Sequence, residues 1–169
     1  MSSDALEELR RRTPARIALG RVGNALPTRE VLNFSLAHAR ARDAIHVPFD
    51  VEFIDQACHA LGFETIRVCS AAADRETYLR RPDLGRRLSS VDVVTLSARN
   101  EPCDLVFVIA DGLSSPAIHA HAPRLLEAVK PLLDHNKLRI GPLVVARQAR
   151  VALGDEIGAL LQHAWSSCS

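Results

Sequence analysis

Apolar residues recur along this chain in two rhythms, and the change comes near residue 62. Up to that point they return every three to four positions. Thr28 is expected to cap a helix that reaches about Asp43. Glu30 sits in its first turn, where a carboxylate favours the helix dipole, and Leu32, Leu36 and Ala39 share one face. Asp50 is expected to cap the next helix, in which Val51, Ile54, Cys58 and Leu61 recur at helical spacing and Gly62 supplies the stop. Ahead of both, Ser3 or Asp4 caps a short charged helix through about Arg12, followed by a loop carrying Gly20, Gly23 and Pro27.

Beyond Gly62 short apolar runs alternate with helical segments. Phe63 to Cys69 read as a strand with Ile66 and Val68 on one face. The stretch from Asp74 to Arg87 holds a short helix that Pro82 must end or distort. Ser89 and Asp92 stand three apart, a capping-box arrangement ahead of Val93, Val94 and Leu96. Asp104 to Ala110, "DLVFVIA", is an apolar run suited to a strand buried on both faces. Ser115 and Pro116 fit N-cap and N1 of the next helix, which Pro123 divides, with Leu125, Leu126 and Val129 lining its second part. "PLVVAR" is a further buried strand, and "GDEIGALL" opens a helix. The expected fold class is therefore α/β: a Rossmann-like, mostly parallel sheet flanked by helices over residues 61–169, preceded by a mainly helical region, 1–60.

Composition narrows the function classes. With 169 residues and 47% hydrophobic content the chain can bury a sizeable core. Its formal net charge of +1 and 4% aromatic content argue against a nucleic-acid binder, which needs a basic stripe and stacking platforms. No apolar run approaches the length of a membrane span, and the charged start "MSSDALEELRRR" lacks the apolar stretch of a secretory leader. Cys58, Cys69, Cys103 and Cys168 form no Cys-x-x-Cys pair and are expected as free thiols in a reducing compartment. His119 and His121 lie two apart, which suits neither one helical face nor a zinc finger, so no metal site is expected.

Candidate chemistry gathers where apolar runs give way to polar residues. In open parallel sheets ligands bind beyond the carboxyl ends of the strands. Asp111 and Gly112 mark one such end, and the stretch after "PLVVAR" marks another. Gly112 permits a positive φ or close backbone approach. Asp111, beside a buried strand, needs donors, because an unpaired carboxylate there costs several kcal/mol. It either caps the turn that follows or meets a ligand or partner. Arginines cluster beside prolines and glycines, most densely in "RRPDLGRR" (Arg80 to Arg87), which suits docking to carboxylates, phosphates or another subunit. No nucleophile elbow, phosphate loop or dinucleotide fingerprint is present, and no catalytic residue is assigned. An independent hydrolase or transferase built on Asp111 would lack a partnered base.

Four ordered stretches, Thr13 to Ile45, Asp74 to Leu88, Val108 to Ile118 and Val145 to Leu161, together resemble the small subunit of ethanolamine ammonia-lyase. The resemblance implies a hetero-oligomer with a large subunit that binds ethanolamine and carries most catalytic groups. It implies adenosylcobalamin shared between the two subunits, and conversion of ethanolamine to acetaldehyde and ammonia. It implies cobalamin contact at Val151, where core packing is the competing reading, and a cofactor-side place for Asp111 and Gly112. Two further family contacts, a glutamate in Gly-Glu-Arg-Pro-Gly and a cysteine in Cys-Ile-Ser-Asn, have no counterpart here. Cys168 stands in different surroundings, and the chain reads as C-terminally truncated. The rival expectation is a docking module without a working cofactor site. The expected location is the cytoplasm, with the interior of a bacterial microcompartment as a second address; no nucleic acid or membrane partner is expected.

Overall fold

The computed structural model describes residues 3–13, 15–17, 19–99 and 103–166; side chains are described within 6–161 of these. The chain divides into two compact units, Met1–Asp43 and Ala44–Ser169.

In the first unit, α1 (Ser3–Arg12) is followed by a tight turn in which Val22 and Ala25 exchange backbone hydrogen bonds of 2.9 and 3.2 Å. The long helix α2 (Thr28–His46) begins here and runs on into the second unit. Thr28 is already helical. The Pro27 carbonyl accepts the N–H groups of Glu30 and Val31, so the cap stands one residue earlier than expected. No α2 residue is buried; Leu32 and Leu36, on the expected apolar face, stay exposed.

The second unit is a three-stranded parallel sheet in the order β1-β3-β2, with β1 (Thr65–Cys69), β2 (Val108–Ala110) and β3 (Leu143–Arg147). This is the expected parallel sheet with helices on both faces. In β3, Leu143 and Val145 point to one side and Val144 and Ala146 to the other, and all four are fully buried, which accounts for an unbroken apolar strand. One face packs against α3 (Val51–Ala60) and α6 (Ser115–His135) through Val51, Ile54, Cys58 and Leu126. The other packs against α5 (Ser90–Ser97) and α7 (Leu153–Ser166) through Leu96, Leu153, Ile157 and Leu161. The step from β1 to β2 and the return to β3 run in opposite directions across the sheet. Right-handed connections then place α5 and α6 on opposite faces. Helix α3, expected with the helical N-terminal region, packs on the sheet within the second unit.

Local chemistry sets the element ends. Asp50 caps α3 by accepting from the Phe53 N–H at 2.9 Å, and Asp74 caps the short α4 (Arg75–Arg80) from the Thr77 N–H at 2.7 Å. Ser89 caps α5 as expected, while Asp92 turns to the Ser89 hydroxyl and the Cys69 N–H at 2.7 and 2.8 Å, tying α5 to the end of β1. Three expectations shift. Only the last three residues of "DLVFVIA" form β2, because the run meets its neighbour earlier through a single Leu105–Ile140 bridge. The cap of α6 is Ser114, whose hydroxyl accepts from the Ala117 N–H at 3.4 Å, so Ser115 is helical and Pro116 lies one step further in. Pro123 does not divide the helix. Helix α6 continues through both Pro123 and Pro131, because residues on either side of Pro123, Ile118 and Leu126, pack on the same core. The expected cap of α1 involves side chains outside those described.

Cys58, Cys69 and Cys103 are free; burial pushes the Cys58 thiol up to about 11, so it stays protonated at neutral pH. Cys168 lies outside the described residues. Among the described residues no His, Cys, Asp and Glu group could hold a metal, and no helix is long and apolar enough to cross a membrane.

Candidate functional site

At the carboxyl ends of the strands the two segments singled out in the sequence come together. Asp111 follows β2 directly and is 5% exposed. Its carboxylate accepts the Gln148 N–H at 2.9 Å and the Ala149 N–H at 3.0 Å, and Arg75 Nη1 donates to it at 3.3 Å. The donors that a buried carboxylate requires are therefore all internal. The side chain does not cap its own following turn; it spans the gap to the loop after β3 and fixes that loop. Gln148 adopts φ +54°, a left-handed conformation uncommon for a residue with a side chain. With both oxygens engaged, Asp111 is no free base, and the hydrolase or transferase reading falls.

Gly112 takes φ +50°, and a Cβ there would meet nothing within 4 Å. Its requirement is backbone conformation, as expected. Val151 is 97% exposed, at the tip of the loop after β3. The core-packing alternative for Val151 is excluded. The structure thus brings Asp111 and Gly112 to the same sheet end as the loop that bears Val151.

A cleft of about 840 Å³ opens beside β2. Its rim consists of the residues just described, from Asp111 to Ser114 and from Ala149 to Val151. Its wall runs along the edge of β2 and the apolar flank of α6, through Ile118, Leu125 and Val129. Among the described residues that edge has no strand partner.

Residues that sequence reading did not single out hold the rim. Tyr78, on α4, is 1% exposed and carries two guanidinium groups, those of Arg75 and Arg150, each 4.7 Å from its ring centroid. Burial raises the Tyr78 phenol above its ordinary range, so it stays neutral. Arg75 Nε also donates to the Ile45 carbonyl at 2.8 Å. The signal available in the sequence was a lone tyrosine flanked by arginines, which spacing alone does not connect to Arg150. Of the arginines in "RRPDLGRR", Arg81 pairs with Asp83 at 2.7 Å and Arg80 with Glu76 at 2.8 Å, while Arg86 and Arg87 are exposed.

The comparisons with known proteins agree with the sequence pattern. The family whose sequence model matches, over residues 3–167, is the ethanolamine ammonia-lyase light chain. The chain belongs to the ethanolamine ammonia-lyase light-chain family. Relatives named ethanolamine ammonia-lyase small subunit include one from Bradyrhizobium diazoefficiens, 51% identical over 156 residues, covering 91% of this chain and 60% of the relative. Another, from Xanthomonas campestris pv. campestris, is 47% identical over 163 residues, covering 94% and 60% respectively. A third, from Pseudomonas fluorescens, is 49% identical over 158 residues, covering 91% and 58%. This light-chain family member therefore spans about 60% of the length of the curated relatives it matches.

Proposed function

We propose that the chain serves as the small subunit of an adenosylcobalamin-dependent ethanolamine ammonia-lyase, closing one side of the cobalamin against a large subunit that holds ethanolamine. Acetaldehyde and ammonia are the products, and the chain contributes enclosure, with the reacting groups on the large subunit. The observation that carries the reading is the exposure of Val151 on an apolar rim at the carboxyl end of a parallel sheet. The rim suits part of a corrin. Val151 and Leu113 are apolar and exposed, and both Asp111 oxygens are already bonded by donors of the chain, so no loose carboxylate faces the ligand. Val151 and the Gly112 backbone would meet the cofactor, and Asp111 would hold the loop that carries Val151. The cobalamin, when bound, supplies the radical-forming cobalt–carbon bond. The exposed apolar face of α2 supports a partner surface, since side chains such as Leu32 and Leu36 ordinarily find cover.

Co-expression with an ethanolamine ammonia-lyase large subunit tests the reading. The expected result is a stable complex that deaminates ethanolamine with added adenosylcobalamin and loses cobalamin affinity in Val151→Asp. Failure to associate would overturn it. A complex without activity would favour the second reading, a docking module.

A further inference from the structure

The loop after β3 is held from a direction that the strand ends do not supply. Gly85 lies in a 3₁₀ turn, Leu84–Arg86, within "RRPDLGRR", and is buried. Its carbonyl accepts the Arg150 N–H at 2.8 Å. Arg150 Nη2 in turn donates to the Tyr78 carbonyl at 3.1 Å, and its guanidinium lies 4.7 Å from the Tyr78 ring centroid. The three residues interlock without spare room. A Cβ on Gly85 would stand 3.0 Å from two Tyr78 ring carbons and 3.2 Å from Arg150 Cγ. Gly85 is thus a glycine for reasons of space, in contrast to Gly112, whose requirement is conformational. Arg150 immediately precedes Val151 in the chain, so any displacement of its backbone moves Val151.

We propose that Gly85 and Tyr78 are positioning residues that act through Arg150 to set where Val151 stands on the rim. The proposal rests on the reading in which that rim faces cobalamin. Neither residue needs to touch the cofactor. Their role is to fix the backbone at Arg150 to within a few tenths of an ångström, the shift that a methyl on Gly85 would force.

The test uses the complex with the large subunit and titrates hydroxocobalamin by absorbance. Gly85→Ala is expected to weaken binding about tenfold. Arg150→Lys keeps charge and stem but loses the planar group that stacks on Tyr78 and bonds its carbonyl; it is expected to weaken binding similarly. It serves if Gly85→Ala fails to fold. Tyr78→Phe keeps the ring and should stay within about twofold. A role confined to packing would lower the melting temperature and leave affinity alone. Positioning instead predicts that the Gly85→Ala loss disappears in a Val151→Gly background, because the two substitutions act on one contact. Additive losses, or unchanged affinity in Gly85→Ala and Arg150→Lys while Val151→Asp binds weakly, would overturn the proposal and leave the underlying reading intact. Unchanged affinity in Val151→Asp, or no hydroxocobalamin binding by the unsubstituted complex, would remove both.

Discussion

Asp111 shows how a single carboxylate can join two strand ends. An amide in its place has one accepting oxygen and no charge: set where Gln148 and Arg75 donate, it leaves the Ala149 N–H facing an NH₂ group and the Arg75 guanidinium without its carboxylate. Asp111→Asn is therefore expected to cost about 3 kcal/mol, read as a lower urea midpoint with unchanged slope. Gly112→Ala is the milder neighbour. Its new methyl meets open space, so only the left-handed backbone is penalised, by about 1 kcal/mol in the same measurement. The sequence made Asp111 conspicuous because a charge ended an apolar run. It could not show where the donors come from, since Gln148 and Ala149 lie 37 and 38 positions away. Tyr78 and Gly85 escaped notice for the same reason: their meaning lies in Arg150, which reaches them only through the fold.

Among the elements, the segments leading into β2 and β3 are clipped together before the strands begin. Arg139 donates to the Asp104 carboxylate through its backbone N–H at 2.9 Å and its guanidinium at 3.1 and 2.8 Å. These bonds hold the Asp104 carboxyl down at about 2. The folded value lies below the unfolded one, so this contribution is present above about pH 4 and fades as pH falls toward 2. Stability measured across that acid range should fall less steeply in Asp104→Asn than in the unsubstituted chain. Helix α2 presents the opposite situation, an apolar face with no buried residue. Leu32→Glu and Leu36→Glu should leave the helical circular dichroism and melting temperature nearly unchanged, within about 0.5 kcal/mol, and weaken capture of the large subunit in a pull-down. Element type was legible wherever caps and periodicity agreed, as at Asp50, Ser89 and the buried run of β3. Its continuity was misread at α6, where the break expected at Pro123 was outweighed by the apolar stripe that packs on the sheet. Its extent was misread at β2, where an apolar run is longer than its pairing.

At the largest scale, the flank of the sheet beside β2 is open among the described residues. Among the described residues the β2 edge has no strand partner, and exposed Leu113 and Leu125 lie beside it. Such an edge recruits other chains unless charges or cover prevent it. The chain purified alone should therefore self-associate with rising concentration in sedimentation experiments, and Leu113→Glu with Leu125→Glu should shift it toward monomer. Parallel pairing, layer order and the sheet end that bears the rim followed from alternating strands and helices. The strand order did not, because it is a property of long-range pairing that no local signal carries. The tethering of Gln148 and Ala149 by Asp111, and of Arg150 by Gly85, has a thermodynamic corollary. A surface whose backbone is ordered before contact gives up little conformational entropy when a ligand or companion arrives, so docking there resembles the meeting of two rigid bodies, governed by diffusion and shape.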